Sequence, residues 1–281
     1  IINKVNLGLH IMKGQFGEVD LIKKIIDISD IPKTCVEFGA YDGVTNSNTF
    51  YFWKKKGFKS LLIEPDPKLF SLLKKIANKN CTLVNDFVSI NNKLSKIIKQ
   101  NNFPKKMGLL SIDIDSNDLE IFKQIDHKST YVVIIEFNNQ FPVWVDYSDP
   151  KDCIIFRHSA LAIVKFASKI GYRLLDVKGA NLILINEQNL YLPKKLYPKS
   201  LKDCFDYEEQ KRVCKDIRII GSKFTTNAKI FSQKPTLFLR FKKYIFQLIV
   251  IINYSLRRKK IPSSQIPNQC KKNILKAGLY I

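Results

Sequence analysis

The segment VEFGAYDG, Val36 to Gly43, follows a short apolar run and decides how the chain is organised. Gly39 and Gly43 predict a sharp turn after a strand, where bare backbone can approach a ligand and the next helix presents its amide groups. A dinucleotide fingerprint would need glycines where Tyr41 and Val44 stand. Instead Glu37 precedes the turn. A carboxylate there suits a cationic ligand, such as the ammonium and sulfonium groups of S-adenosylmethionine, and repels phosphates.

Short apolar runs alternate with segments of helical spacing, which predicts βαβ units and a mostly parallel sheet with helices on both faces. The runs are TCVEF (34–38), SLLIE (60–64), CTLV (81–84), MGLLSID (107–113) and YVVIIEF (131–137), and the helical segments lie at 14–29, 48–55, 68–77, 91–98, 118–125 and 160–170. GYRLLDV (171–177) and NLILIN (181–186) follow, joined by a turn so short that the two strands must be antiparallel. This ending favours the Rossmann-like sheet of class I methyltransferases over that of dinucleotide dehydrogenases.

Further acidic residues follow the predicted strands, where open α/β sheets bind their ligands. Glu64, 21 residues after Gly43, can accept both hydroxyls of a ribose. Asp86, just past the third strand, is placed to meet an adenine amino group. Ala40 completes the predicted cofactor-binding set within the glycine turn. The alternative for Glu64 is that it only caps the next helix, which Pro65 supports.

The fourth strand ends in SIDIDSND, which puts Asp113 and Asp115 on one face of an extended chain. One of them could act as a general base on a hydroxyl. Alternatively, the pair together with Glu136 or Asn138 could bind a hard cation such as Mg²⁺ through oxygen ligands, with Asp113, Glu136 and Asn138 as the candidate ligands. Asp115 could also simply cap the helix that follows. His158 is a further candidate base, although a lone histidine is more often structural.

Five segments together resemble the FkbM-type S-adenosylmethionine-dependent methyltransferases. They are GQFGEVDLI, VEFGAYDG followed by TNSNT, LLIEPDP, SIDIDSND and VVIIEFN, in this order between Gly14 and Asn186. The resemblance implies that Glu37, Gly39 and Gly43 line the methionine part of the cofactor, that Glu64 binds its ribose, and that residues 113–115 face the acceptor. It also implies O-methylation of a sugar or polysaccharide hydroxyl, or of a natural product. The carboxylate-free tail is not part of the shared pattern.

Composition and charge limit the compartment and the domain organisation. The 281 residues carry a formal charge of +22, and the six cysteines form no CxxC pair, which indicates a reducing cytosol. We predict an N-terminal helical segment (1–30), an S-adenosylmethionine-dependent methyltransferase domain (31–190) and a basic C-terminal extension (191–281). After Asp216 come 14 lysines and arginines and no carboxylate, with an apolar helix expected at about 236–256. That helix is short for a bilayer span, so it either lies on an anionic membrane surface or packs on the domain.

Two other function classes stay open on the sequence alone. The charge of +22 fits a methyltransferase acting on RNA or another nucleic acid, but the chain shows neither an RNA-binding module nor a Lys, Asp, Lys, Glu catalytic set, and no specific nucleic-acid partner is expected. The tail equally fits a non-catalytic protein that binds anions or membranes on the same fold. The preferred hypothesis is a cytoplasmic enzyme, peripheral at the membrane, that acts on a small-molecule or glycan acceptor.

Overall fold

The computed structural model describes residues 14–115, 117–139, 141, 143, 145–149, 157–198 and 200–205. The described residues form two compact units, one of residues 14–136 and 167–198, the other of residues 137–166 and 200–205. The first unit holds the whole sheet. The predicted helices at 207–216 and 236–256 lie outside the described residues.

Seven strands form one sheet in the first unit, and most helices lie in the connections between them. The strands are β1 (Thr34–Phe38), β2 (Lys59–Ile63), β3 (Cys81–Val84), β4 (Met107–Ile112), β5 (Thr130–Glu136), β6 (Tyr172–Lys178) and β7 (Asn181–Asn186). The helices are α1 (Glu18–Ile28), α2 (Phe50–Lys55), α3 (Pro67–Ile76), α4 (Leu94–Gln100), α5 (Asp118–Phe122), α6 (Ala160–Lys169) and α7 (Leu201–Cys204), with 3₁₀ turns at His127–Ser129 and Lys194–Leu196.

The strand order is β3-β2-β1-β4-β5-β7-β6. Strands β1 to β5 pair in parallel, whereas β7 runs antiparallel between β5 and β6. The first strand, β1, thus lies inside the sheet: β2 and β3 are added on one side of it and β4 and β5 on the other. The antiparallel strand β7 then inserts between β5 and β6. This is the Rossmann-like fold of class I methyltransferases, and the sequence prediction of the fold class is confirmed.

The core lies on both faces of this sheet. Every residue of β1, β4 and β7 is buried, as expected when helices cover both sides. On one face Val19, Ile22 and Ile25 of α1 pack with strand residues such as Leu62 and Leu109 in a single apolar cluster. Because α1 repeats its apolar residues at spacings of three and four, it presents one apolar stripe to the sheet.

Most helix ends differ from the sequence prediction by a few residues. The first helix begins at Glu18 rather than at residue 14, because Gly14 and Gly17 have φ of 74° and 91°, in the left-handed region. The fifth ends at Phe122 rather than at residue 125. The predicted domain boundaries stay predictions. Within the described ranges, no helix is long and apolar enough to cross a bilayer.

Candidate functional site

One face of the sheet changes from apolar to polar toward the carboxyl ends of the parallel strands. The register places Glu37 of β1 opposite Ser111 of β4, and Glu136 of β5 opposite Asn181 of β7. Since side chains two residues apart along a strand share a face, these four lie on the same face as the α1 cluster. Glu64 directly follows β2 and Asp113 directly follows β4. The predicted site residues of the first unit therefore lie at one edge of the sheet.

Glu37 fastens the loop between β1 and α2. Its carboxylate is 4% exposed and accepts hydrogen bonds from Ser47 Oγ (2.7 Å), Thr49 Oγ1 (2.6 Å) and the Asn48 backbone N–H (2.8 Å). Burial raises the pKa of Glu37, the negative charge of Asp113 raises it further, and the three hydrogen bonds act against both. Both carboxylate oxygens of Glu37 thus bind this loop, and its predicted contact with the cofactor stays a prediction.

The glycine turn has the backbone geometry that the sequence predicts. Gly39 and Gly43 have φ of 65° and 79°. A Cβ on Gly39 would overlap the carbonyl oxygen of Asp113, and one on Gly43 would overlap Leu73 of α3. The Ala40 N–H donates to Ile63 O (3.1 Å), which ties the turn to the end of β2. Both glycines are thus required, one for the approach of β1 to β4 and one for the packing of α3.

Glu64 bridges the glycine turn and the start of α3. Its Oε2 accepts the Tyr41 N–H and its Oε1 accepts the Asp66 N–H, each at 2.8 Å. Helix α3 itself is capped by Asp66, which accepts the N–H groups of Lys68 and Leu69. Glu64 is therefore not the side chain that caps α3. Glu64 is 4% exposed and lies beside the glycine turn, and its predicted contact with a ribose stays a prediction.

Asp86 lies in the loop after β3, and its neighbour Phe87 was missed by the sequence reasoning. Asp86 accepts the Phe87 N–H at 2.8 Å and Asn92 Nδ2 at 2.9 Å. The Phe87 ring is 57% exposed, which is unusual for an aromatic side chain. An exposed ring beside a carboxylate offers both a stacking surface and an acceptor for a purine. The available signal was the pair Asp-Phe directly after a predicted strand.

Three carboxylates meet where β4 and β5 end. One oxygen of each of Asp113, Asp115 and Glu136 lies within 4.8 Å of the others. Asp115 is exposed and has φ of 54°, so the chain turns sharply there to bring its side chain back beside Asp113. Carboxylate oxygens this close together match the ligands that a hard divalent cation prefers, and a carboxylate can also act as a base toward a hydroxyl. The site can thus bind a hard divalent ion or take a proton from a substrate.

Asn138 and His158 belong to the second unit. Asn138 is buried and its backbone N–H donates to the His158 carbonyl oxygen at 2.8 Å. The His158 ring is 1% exposed, and its Nδ1 lies 2.7 Å from Ser148 Oγ. Their predicted roles as metal ligand and base stay predictions.

Glu18 is a second residue that sequence reasoning missed. It is fully buried, accepts the Phe16 N–H at 2.8 Å, and accepts Asn181 Nδ2 at 2.7 Å across 163 residues of sequence. Burial raises its pKa. Next to it, Asn48 Nδ2 donates to Ser111 Oγ at 3.0 Å. Glu18 therefore anchors the start of α1 at the polar edge of the sheet, although an acid in a first helical turn ordinarily indicates only a favourable interaction with the helix dipole.

No family model matches the chain, and no curated protein sequence matches it. Solved structures do match. The glycopeptide N-methyltransferase MtfA complexed with sinefungin is 9% identical over 60% of this chain and 85% of its own, with a TM-score of 0.36. CalO1, a methyltransferase in calicheamicin biosynthesis in its SAH-bound form, is 11% identical over 66% of this chain and 55% of its own, with a TM-score of 0.35. A SAM-dependent methyltransferase from Aquifex aeolicus is 13% identical over 62% of this chain and 90% of its own, with a TM-score of 0.37. The strand order, rather than these likenesses, assigns the fold class.

Proposed function

We propose that this protein is an S-adenosylmethionine-dependent methyltransferase of the FkbM type that methylates a hydroxyl of a sugar or polysaccharide. The observation that carries the proposal is the edge at which β1, β2, β4 and β5 end. There a glycine turn with positive φ borders Glu64, and the carboxylates of Asp113, Asp115 and Glu136 come together. Ligands of open α/β sheets bind at this edge.

The residues around the glycine turn fit S-adenosylmethionine. Gly39 is exposed and has no side chain to block a ligand. Each oxygen of Glu64 accepts one backbone N–H and keeps a second lone pair, which we assign to the hydroxyls of a ribose. We assign the adenine to the space beside Asp86 and the exposed ring of Phe87, which together offer an acceptor and a stacking surface. These acids suit a ligand that carries a sulfonium and an ammonium group, whereas a pyrophosphate would be repelled. S-adenosylmethionine, when bound, would supply an electrophilic methyl carbon.

The three-carboxylate cluster fits the needs of a hydroxyl acceptor. A sugar hydroxyl is a weak nucleophile, so a base must take its proton as the oxygen attacks. Asp113 or Asp115 can take this proton, and the positions of the carboxylates orient the hydroxyl for an in-line approach. The donor set also fits Mg²⁺, for which Asp113, Asp115 and Glu136 would be the ligands. Such an ion would lower the pKa of the bound hydroxyl.

Cofactor binding is the first test. We expect isothermal titration calorimetry of the full chain to show binding of S-adenosylmethionine and S-adenosylhomocysteine. Phe87→Ala should weaken it by about 1 kcal/mol through the loss of a stacking contact. Tyr191→Ala, which removes another exposed aromatic side chain, is the control. Neither heat nor a thermal shift with either compound would reject the proposal.

Methyl transfer is the second test. Mass spectrometry should detect a gain of one methyl group on a glycan or sugar hydroxyl when the protein, S-adenosylmethionine and an acceptor panel are combined. Asp113→Asn should abolish this gain while leaving cofactor affinity nearly unchanged, because we assign the residue to the acceptor and not to the cofactor. Asp30→Asn is the matched control, because Asp30 is an exposed acid that precedes β1 and so lies away from the carboxyl ends of the strands. Methyl groups found on amines or nucleic acid in place of hydroxyls would refute the acceptor class.

A further inference from the structure

A row of five lysines lies along the amino edge of the sheet, opposite the candidate site. Each parallel strand begins at or just after one of them. In the spatial order of the strands they are Lys79, Lys59, Lys33, Lys106 and Lys128. All five side chains are exposed. We refer to these five residues as the lysine row.

Backbone contacts hold the lysine row in line. The Lys59 N–H donates to the Lys33 carbonyl oxygen at 2.9 Å, and Thr34 Oγ1 donates to the Lys106 carbonyl oxygen at 2.6 Å. Next to Lys79 in sequence, the Asn80 carbonyl oxygen accepts the N–H of Ser60 at 2.9 Å, and Ser60 directly follows Lys59. Since neighbouring strands are about 4.8 Å apart, the row extends for roughly 20 Å.

The rest of this edge is also basic. Nine more exposed lysines lie there, at helix carboxyl ends and in the loops that lead into the strands: Lys54, Lys55, Lys56, Lys74, Lys75, Lys99, Lys105, Lys123 and Lys169. The described carboxylates of this edge are Asp27, Asp30, Asp126 and Glu187, together with Glu120, which pairs with Lys123. Interaction with helix dipoles accounts for lysines at helix ends but not for the lysine row, which belongs to loops and strand starts.

Exposed apolar side chains accompany this charge. Ile28 ends α1 and is 59% exposed. Tyr191 is 81% exposed and Leu196 is 42% exposed, and both follow β7, which ends at the amino edge because it runs antiparallel. Exposed Lys194 and Lys195 lie between them. Aromatic and aliphatic side chains flanked by lysines are typical of surfaces that enter the headgroup region of a bilayer.

We propose that the amino edge, meaning the lysine row with Ile28, Tyr191 and Leu196, docks on an anionic lipid bilayer. Ammonium groups on flexible stems are attracted to anionic headgroups, and the three apolar side chains enter the interface. Nucleic acid fits less well, since lysines can contact phosphates but the lysine row holds no arginine, the preferred residue for nucleic-acid recognition, and exposed aliphatic side chains add nothing to phosphate binding. Arg173, near this edge, is held by Glu187 at 3.3 Å and stacks on Tyr197. The docked protein would hold its carboxyl edge away from the lipid, facing water.

The test compares two charge-matched variants of the full chain. The first carries Lys59→Glu, Lys79→Glu and Lys106→Glu in the lysine row. The control carries Lys68→Glu, Lys93→Glu and Lys96→Glu, which are exposed near the amino ends of α3 and α4, on the opposite edge of the sheet. Each set takes the formal charge from +22 to +16, since three lysines become three glutamates. Co-sedimentation with phosphatidylcholine vesicles, with and without phosphatidylglycerol, measures the partitioning.

Wild type should bind only the phosphatidylglycerol vesicles. The lysine-row variant should lose on the order of a hundredfold in partitioning, from about fivefold per lysine, and the control should lose far less. Tyr191→Ser with Leu196→Ser should reduce vesicle binding that persists at raised salt. Equal losses in both variants would overturn the proposal, since net charge alone would then be responsible. No loss in either would overturn it in favour of another segment of the chain.

Fluorescence anisotropy with a labelled RNA duplex distinguishes the other class of anionic partner. The proposal predicts weak binding of the RNA duplex, which is lost as the salt concentration rises and is unchanged by Tyr191→Ser. Tight RNA binding that needs the lysine row, without matching vesicle binding, would overturn the lipid assignment. Circular dichroism melting of each variant confirms that it is folded, and the double apolar variant gives an independent readout if a charge variant fails to fold.

Discussion

Replacement of Glu37 tests whether this residue holds the loop or contacts the cofactor. The 4% exposed carboxylate accepts three hydrogen bonds, from Ser47, Asn48 and Thr49. Each hydrogen bond to a charged group contributes about 1.5–3 kcal/mol, and burial of the carboxylate offsets part of this. We expect Glu37→Ala to lower the free energy of unfolding by about 3 kcal/mol. Glu37→Gln, which keeps one acceptor oxygen, should cost about 1 kcal/mol.

Urea denaturation followed by circular dichroism measures these changes. Thr49→Val removes one donor and should cost about 1 kcal/mol. Glu187→Ala, an exposed acid, should stay within about 0.5 kcal/mol of wild type. A Glu37→Ala protein as stable as wild type would refute the inferred role of Glu37. Calorimetry then separates the two functions: Glu37→Gln should keep its affinity for S-adenosylmethionine within a few-fold if Glu37 only holds the loop, whereas a lost ammonium contact would cost about tenfold or more.

Gly39→Ala should lower the free energy of unfolding by about 3 kcal/mol or more, because the new Cβ would overlap a backbone carbonyl oxygen. The control Gly57→Ala, at φ of 71° with open space around it, should cost only about 1 kcal/mol of left-handed strain. Equal melting temperatures for the two variants would contradict this prediction. Burial raises the pKa of Glu18 above its ordinary 4.5, so the folded state binds this proton more tightly than the unfolded state, and its contribution to stability is present at low pH and falls as the pH rises through the folded pKa. Between pH 4.5 and neutral pH, the free energy of unfolding of Glu18→Gln should therefore fall less than that of wild type, as measured by urea titrations. The same dependence of this free energy on pH in both proteins would argue against the prediction. Asp113→Asn should weaken binding of Mg²⁺ in calorimetry if the three carboxylates bind an ion, whereas Asp86→Asn should not; equal heats from both would remove the cluster from consideration.

Strand positions were predictable from the sequence because each buried strand is a continuous apolar run between turn residues. NLILIN matches β7 in full, and TCVEF matches β1. Helix ends were less predictable. Glycine φ angles and local capping decide them, as at Gly17 before α1, and these depend on the packed backbone.

By itself the sequence determined the fold class, since alternating apolar and helical segments followed by a tight hairpin leave few ways to bury every strand on both faces. It also placed acids after successive strands, which a parallel sheet brings to one edge. Only the tertiary structure decided what those acids do. Glu37 fastens a loop and Glu64 braces the glycine turn, while Glu18 meets Asn181 across 163 residues. Hydrogen-bond partners are set by strand register and burial across the whole chain, and neither can be calculated from local spacing.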